Sequence, residues 1–211
     1  MKLARQNIVV YSIWLILAVE VLVSLWLRQW NEAFVAGFTL GLTFLPMIFE
    51  ERLGVRLPMT FGAMIVVFLF ATLFLGETGD FYEKYWWWDV VLHSGSAIGF
   101  GLIGYVLVFM LFEGNRFAAP PLALAFLAFS IGVSIGTIWE IFEFAMDGFF
   151  GMNMQKSGLV DTMWDLIVNT IGASIGAIAG FFYQRGKRFA GLTRLIEQFV
   201  RANKRFFRKN R

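Results

Sequence analysis

The sequence predicts an all-α polytopic membrane helical bundle of about six transmembrane helices, N-in and C-in, with a basic amphipathic C-terminal helix. Three observations lead there. The 211 residues are 58% hydrophobic and 18% aromatic, with a mean hydropathy of +0.67, which is too apolar for a domain whose surface must hold water. Apolar stretches of spanning length recur along the chain. The cations between them fall mostly on one side.

The first span is expected at about 7–27, where Lys2 and Arg5 precede an apolar run without a small-residue cleavage pattern, so it reads as a retained helix. The others follow at about 33–49, 59–76, 89–112, 121–146 and 161–183, the second near the short limit for a ~30 Å hydrocarbon core. Breaks at Arg28–Glu32, Glu50–Pro58, Gly76–Trp88, Glu113–Pro121 and Asp147–Val160 carry turn and interface residues. With alternating loops, one face holds 15 Lys and Arg and the other holds Arg28, Lys84 and Lys156. The positive-inside rule then makes the termini cytoplasmic and the expected location the cell inner membrane, multi-pass. Trp86, Trp87 and Trp88 form an aromatic belt at the outer interface.

Ten of the eighteen cations lie from Arg185 to Arg211, so the expected division is a transmembrane domain over 1–186 and a basic cytoplasmic tail over 187–211. The tail sets Leu192, Leu195, Ile196 and Phe199 among Lys and Arg at roughly helical spacing. It is expected on the inner leaflet, drawn to anionic headgroups, with membrane lipids and no nucleic acid as partners.

The absence of cysteine excludes disulfides, thiolate metal sites and a cysteine nucleophile. A single histidine excludes di-iron oxygenase chemistry, leaving carboxylates as the main reactive groups. Eleven of the fifteen acids fall in the outer half or beyond it. Angular position at about 100° per residue sorts them onto shared faces. Gly132, Gly136, Glu140, Glu143 and Asp147 share one stripe of the fifth span; Asp161, Asp165, Asn169, Gly172 and Gly176 share one stripe of the sixth. Asp89, His93, Ser96 and Gly104 align on the fourth, whereas Gly95 and Gly99 do not. Small residues every fourth position let backbones approach in lipid, so Gly132, Gly136, Gly172 and Gly176 are the expected packing positions. The acids above them then point into the bundle, since a lipid-facing charge is costly. Trp88-Asp89-Val90-Val91-Leu92-His93-Ser94 also echoes Trp164-Asp165-Leu166-Ile167-Val168-Asn169-Thr170, through duplication of a helical hairpin or by chance.

The run FSIGVSIGTIWEIFEFAMDGFFGMNMQKSGLVDTMWDLIVNTIGASIG, from Phe129 to Gly176, resembles the YjdF-like family of uncharacterised bacterial integral membrane proteins. Leu75-Gly76-Glu77 through Phe81-Tyr82, and Trp88-Asp89 to His93, fit the same family, so the resemblance covers most of 40–183. A more distant likeness is to VanZ-like proteins, which similarly combine an aspartate and a histidine on one helix, a glutamate on the next, and a paired-aspartate helix ending in Asn and Gly. The resemblance implies topology and the choice of polar residues; it implies no activity.

Asp89 and His93, like Asp161 and Asp165, are four apart and spaced to bind one ion together. The expected metal ligands are drawn from Asp89, His93, Glu140, Glu143, Asp161, Asp165 and Asn169, with Mg, Ca, Mn or Zn as the divalent cation. His93 and Glu140 are the candidate catalytic proton carriers; no organic cofactor motif is present. Asp89, Asp147 and Asp161 equally suit plain capping of helix ends. Glu20, alone in the first span, is open between joining the site and turning outward. Three function classes fit these residues. The first is a divalent-metal-dependent membrane enzyme acting on an outer-leaflet lipid or lipid-linked substrate; the others are a cation- or proton-coupled transporter or channel, and a structural or assembly protein.

Overall fold

A computed structural model describes residues 6–112 and 119–207, which are helical between short turns, with no strand among them. Six helical stretches are long and apolar enough to cross a membrane: Ile8–Trp26, Trp30–Leu53, Met59–Thr78, Trp88–Leu111, Pro121–Phe150 and Leu159–Gln184. The chain divides into two compact units, the first running to Leu92 and taking in Arg201–Asn203, the second beginning at His93.

The first unit is built from α1 (Ile8–Trp26), α2 (Trp30–Leu42), α3 (Leu45–Leu53), α4 (Met59–Leu69) and the short α5 (Phe81–Lys84). The Asn7 side chain caps α1 by accepting the Val9 amide at 3.2 Å. The second span is longer than its hydropathy predicts because it is two helices: Pro46, in the first turn of α3, disfavours continued helix at the residue before it, and the chain restarts at Leu45. Thr43 satisfies the break, accepting from Trp14 Nε1 at 2.9 Å and donating to the Leu40 carbonyl at 2.6 Å. The third span changes from α to π-helix over Phe70–Thr78, ending with the Gly79 amide bonded to the Phe74 carbonyl at 3.0 Å. The core joins Val10, Ile13, Leu17, Ala36, Ala63 and Val66. Glu20 stays local, accepting from the Ser24 hydroxyl at 3.0 Å.

In the second unit α6 (Trp88–Leu111), from His93 onward, packs with α7 (Pro121–Phe150) and α8 (Leu159–Gln184). Pro121 opens α7, where its missing N–H costs nothing, and Gly151 ends it at φ 65°, a conformation glycine takes freely. Asp147 organises the turn between α7 and α8, its carboxylate accepting the Met154 and Gln155 amides at 2.7 and 2.9 Å.

The helices meet along glycine. A Cβ at Gly172 would lie 2.7 Å from Ala97 Cβ, one at Gly176 2.6 Å from the Ile98 carbonyl oxygen, and one at Gly132 2.9 Å from Ala173 Cβ. Gly95 and Gly99 have nothing that near, in keeping with their place off the shared face. Contacts of Gly172 with Ala97, Gly176 with Gly101 and Gly180 with Tyr105 advance together along both chains, so α6 and α8 run parallel.

The tail forms α9 (Leu192–Ala202). Ile196 and Phe199 are buried against protein, and Phe207 stacks on Phe109 with centroids 5.5 Å apart. The apolar face expected on a leaflet is thus partly covered by the protein's own aromatic side chains. Asn203, within the first unit, bonds both backbone groups of Arg56, at 2.7 and 2.6 Å.

Candidate functional site

The polar centre of the second unit grows from helix periodicity. On α7, Gly136 and Glu140 are one turn apart; on α8, Asp165, Asn169 and Gly172 follow at intervals of four and three. Such spacing stacks them on one stripe. His93, Glu140, Asp165 and Asn169 are each at least nine-tenths buried. They converge on the imidazole. His93 Nδ1 lies 3.4 Å from Asn169 Oδ1 and 3.8 Å from Glu140 Oε1, while Nε2 lies 4.0 Å from Asp165 Oδ1.

The two ring nitrogens therefore face different groups. Nδ1 looks toward an amide and a glutamate, Nε2 toward an aspartate. Both carboxylate separations exceed the 2.7–3.2 Å of a direct hydrogen bond, so charge lies near the ring without closing on it. Gly136 makes room for this arrangement, since a Cβ there would come within 2.9 Å of Asn169 Nδ2. Its hydrogen lets the amide lie across α7 and reach the ring.

His93 and Asp165, with Asp89 one turn before His93 on the same helix, each offer a ligand atom within 4.8 Å of the others, close enough that the three could hold a metal ion. Asp89 and Asp161 are half-buried, and Asp161 stands one turn before Asp165 in the first turn of α8. Glu143 is buried, with its Oε1 accepting from Trp139 Nε1 at 2.9 Å. Sequence reasoning missed that partner, although Trp139 and Glu143 are spaced i, i+4. Asp147, left out of the expected ligands, has its carboxylate engaged by the amides of the following turn.

Below Asn169 the buried residues of α6 and α8 include Ala97, Gly101, Leu102, Gly104, Tyr105, Val106, Val108 and Phe109, a run of Ala and Gly on α8, and the polar Gln184 at its end. The described carboxylates and the imidazole of this unit's centre lie on the far side of the glycine seam from Gln184, whose Nε2 donates to the Ala119 carbonyl at 3.2 Å.

Six helices long and apolar enough to cross a membrane define a polytopic membrane protein, and in its second unit a histidine, an amide and carboxylates are buried together. The chain belongs to the family described as "Predicted membrane protein (DUF2238)", which it matches over residues 9–186. It is also 32% identical over 129 residues to a protein of Thermotoga maritima described as "Uncharacterized protein". That match covers 61% of this chain and 66% of the relative. No solved structure matches the chain.

Proposed function

We propose that this chain is a divalent-metal-dependent enzyme of the cell inner membrane, N-in and C-in, acting at its outward-facing site on an outer-leaflet lipid or lipid-linked substrate. The observation that carries the reading is the division of the His93 ring between two kinds of neighbour. Nε2, with Asp165 and with Asp89 one turn along α6, supplies a nitrogen and carboxylate oxygens to one cation. Two ligands about 2.1 Å from a tetrahedral ion sit about 3.4 Å apart, so the 4.0 Å between Nε2 and Asp165 closes with a small rotation of either side chain. Nδ1, beside Asn169 and Glu140, is oriented as metal-bound imidazoles usually are, through the nitrogen that does not touch the metal.

In this assignment His93 is a ligand and Glu140 is the proton carrier. Asp89, His93 and Asp165 would hold the cation, which would supply Lewis-acid chemistry toward a phosphoryl or carbonyl oxygen of the substrate, and Glu140 would take a proton from, or give one to, the reacting group. Below the site α6, α7 and α8 offer mainly Gly and Ala with Ser134, Thr137, Ser174 and Gln184, and no Asp, Glu, Lys or His among the described residues. This favours chemistry over passage, because a transported ion needs polar groups along its path.

Calorimetric titration of the purified protein with Mg, Ca, Mn and Zn tests it. One of these should bind saturably and raise the melting temperature. Asp165→Asn should weaken that binding by about tenfold or more, and Glu140→Gln by roughly 10-fold to 100-fold if it orients the imidazole. Both should fold normally without the ion. No binding by any of the four ions sinks the metal reading and favours the proton-coupled transporter.

A further inference from the structure

Where α8 gives way to the tail, a recess of about 170 Å³ is lined by Arg188, Gly191, Thr193, Arg194 and Glu197. It is far in sequence from His93 and independent of the metal reading. Its depth relative to the membrane is fixed by stacking: Phe189, next to Arg188, packs face to face on Phe182 in the last turns of α8, with centroids 5.4 Å apart. Arg185 lies over Phe181 at 5.3 Å. A recess whose first wall, Arg188, stands four residues past the end of a spanning helix and is stacked back on it through Phe189 lies near the level of lipid headgroups.

The chemistry of the walls selects the ligand. Arg188 and Arg194 are exposed guanidiniums, suited to bidentate hydrogen bonds with phosphate oxygens. Thr193 is more than nine-tenths buried; its Oγ1 accepts the Phe189 amide at 3.4 Å, and its hydroxyl remains a donor. Two guanidiniums against one Glu197 carboxylate leave the walls a formal charge of +1. A phosphodiester carries a single negative charge and matches it; a phosphate monoester or inorganic phosphate near neutral pH carries about 1.5 to 2, and the excess falls beside Glu197. We propose that this recess binds the phosphodiester of a membrane phospholipid headgroup, seating the tail on the membrane at one defined position.

A basic tail drawn loosely to anionic lipid is a different state, and the two separate experimentally. The probe is short-chain phosphatidylglycerol, titrated into the full-length protein in a non-ionic, phosphate-free detergent, with inorganic phosphate in a parallel arm. Binding should saturate at one lipid per chain. Arg188→Gln with Arg194→Gln should weaken it by about tenfold or more, while Lys204→Gln with Arg205→Gln, which removes the same charge outside the recess, should change it less than about twofold. Thr193→Val changes no charge and should still weaken binding severalfold, which keeps the test decisive if the double arginine variant folds poorly. Equal losses in the two double variants, or an unaltered Thr193→Val, overturn the recess in favour of diffuse attraction. Inorganic phosphate that binds as tightly as the lipid overturns the phosphodiester assignment.

Discussion

Asn169 reaches His93 only because position 136 is glycine. The amide lies against the α7 backbone where a methyl group would stand, with 2.9 Å between Asn169 Nδ2 and the nearest Cβ position. Gly136→Ala alters no charge and removes no side chain of the site, yet it must displace Asn169, which faces His93 Nδ1 at 3.4 Å. The expected outcome is a loss of cation affinity close to that of Asn169→Ala, in the 10-fold to 100-fold range seen when groups behind a metal ligand are removed. Calorimetry on both variants checks it, with far-UV circular dichroism confirming intact helix content. An unchanged affinity in Gly136→Ala together with a weakened Asn169→Ala would mean that the amide keeps its place without the glycine.

At the level of helices, α6 and α8 lie parallel with Gly172 beside Ala97 and Gly176 beside Gly101. In lipid no hydrophobic force drives such helices together, so the closeness of the backbones carries the association. Gly176→Ala should destabilise the protein clearly, because its Cβ would stand 2.6 Å from a backbone oxygen that cannot rotate away. Gly99→Ala, on the same pair of helices but facing open space, should leave stability unchanged or raise it by up to about 1 kcal/mol through helix propensity. Thermal melts in detergent compare the two, and a similar response from both would separate the seam from stability. The six spans and the glycine stripes were legible in the sequence because hydropathy and the 3.6-residue period record them directly. The same period put Glu140, Asp165 and Asn169 on inward faces. Other features carry no such signature. The π-helix over Phe70–Thr78 shifts hydrogen-bond partners by one residue, which leaves apolar content unaltered. The engagement of Asp147 by Met154 and Gln155 depends on the path of a turn. His93 and Asn169, which occupy matching places in Trp88–Ser94 and Trp164–Thr170, face each other across the parallel helices α6 and α8.

For the molecule as a whole, function depends on which side of the membrane the site faces. The proposed outward assignment rests on 15 cations on one face against three on the other, and outside the tail, in the short segments that weigh most in this rule, Lys2, Arg5, Arg52, Arg56 and Arg116 still outnumber Arg28, Lys84 and Lys156. Arg52 and Arg56 flank the turn between α3 and α4, so the tail is not the only contributor. The chain contains no cysteine, and single cysteines placed at exposed positions can therefore report the sides without background. Lys156, in the turn between α7 and α8, and Lys204, just past α9, are both exposed. In intact cells a membrane-impermeant maleimide should label Lys156→Cys and spare Lys204→Cys; after permeabilisation both should react. The control matters, because a cysteine that fails to react in either condition reports burial and not sidedness. Reaction at Lys204→Cys alone in intact cells would invert the molecule, setting the His93 centre toward the cytoplasm, where an outer-leaflet substrate cannot reach it.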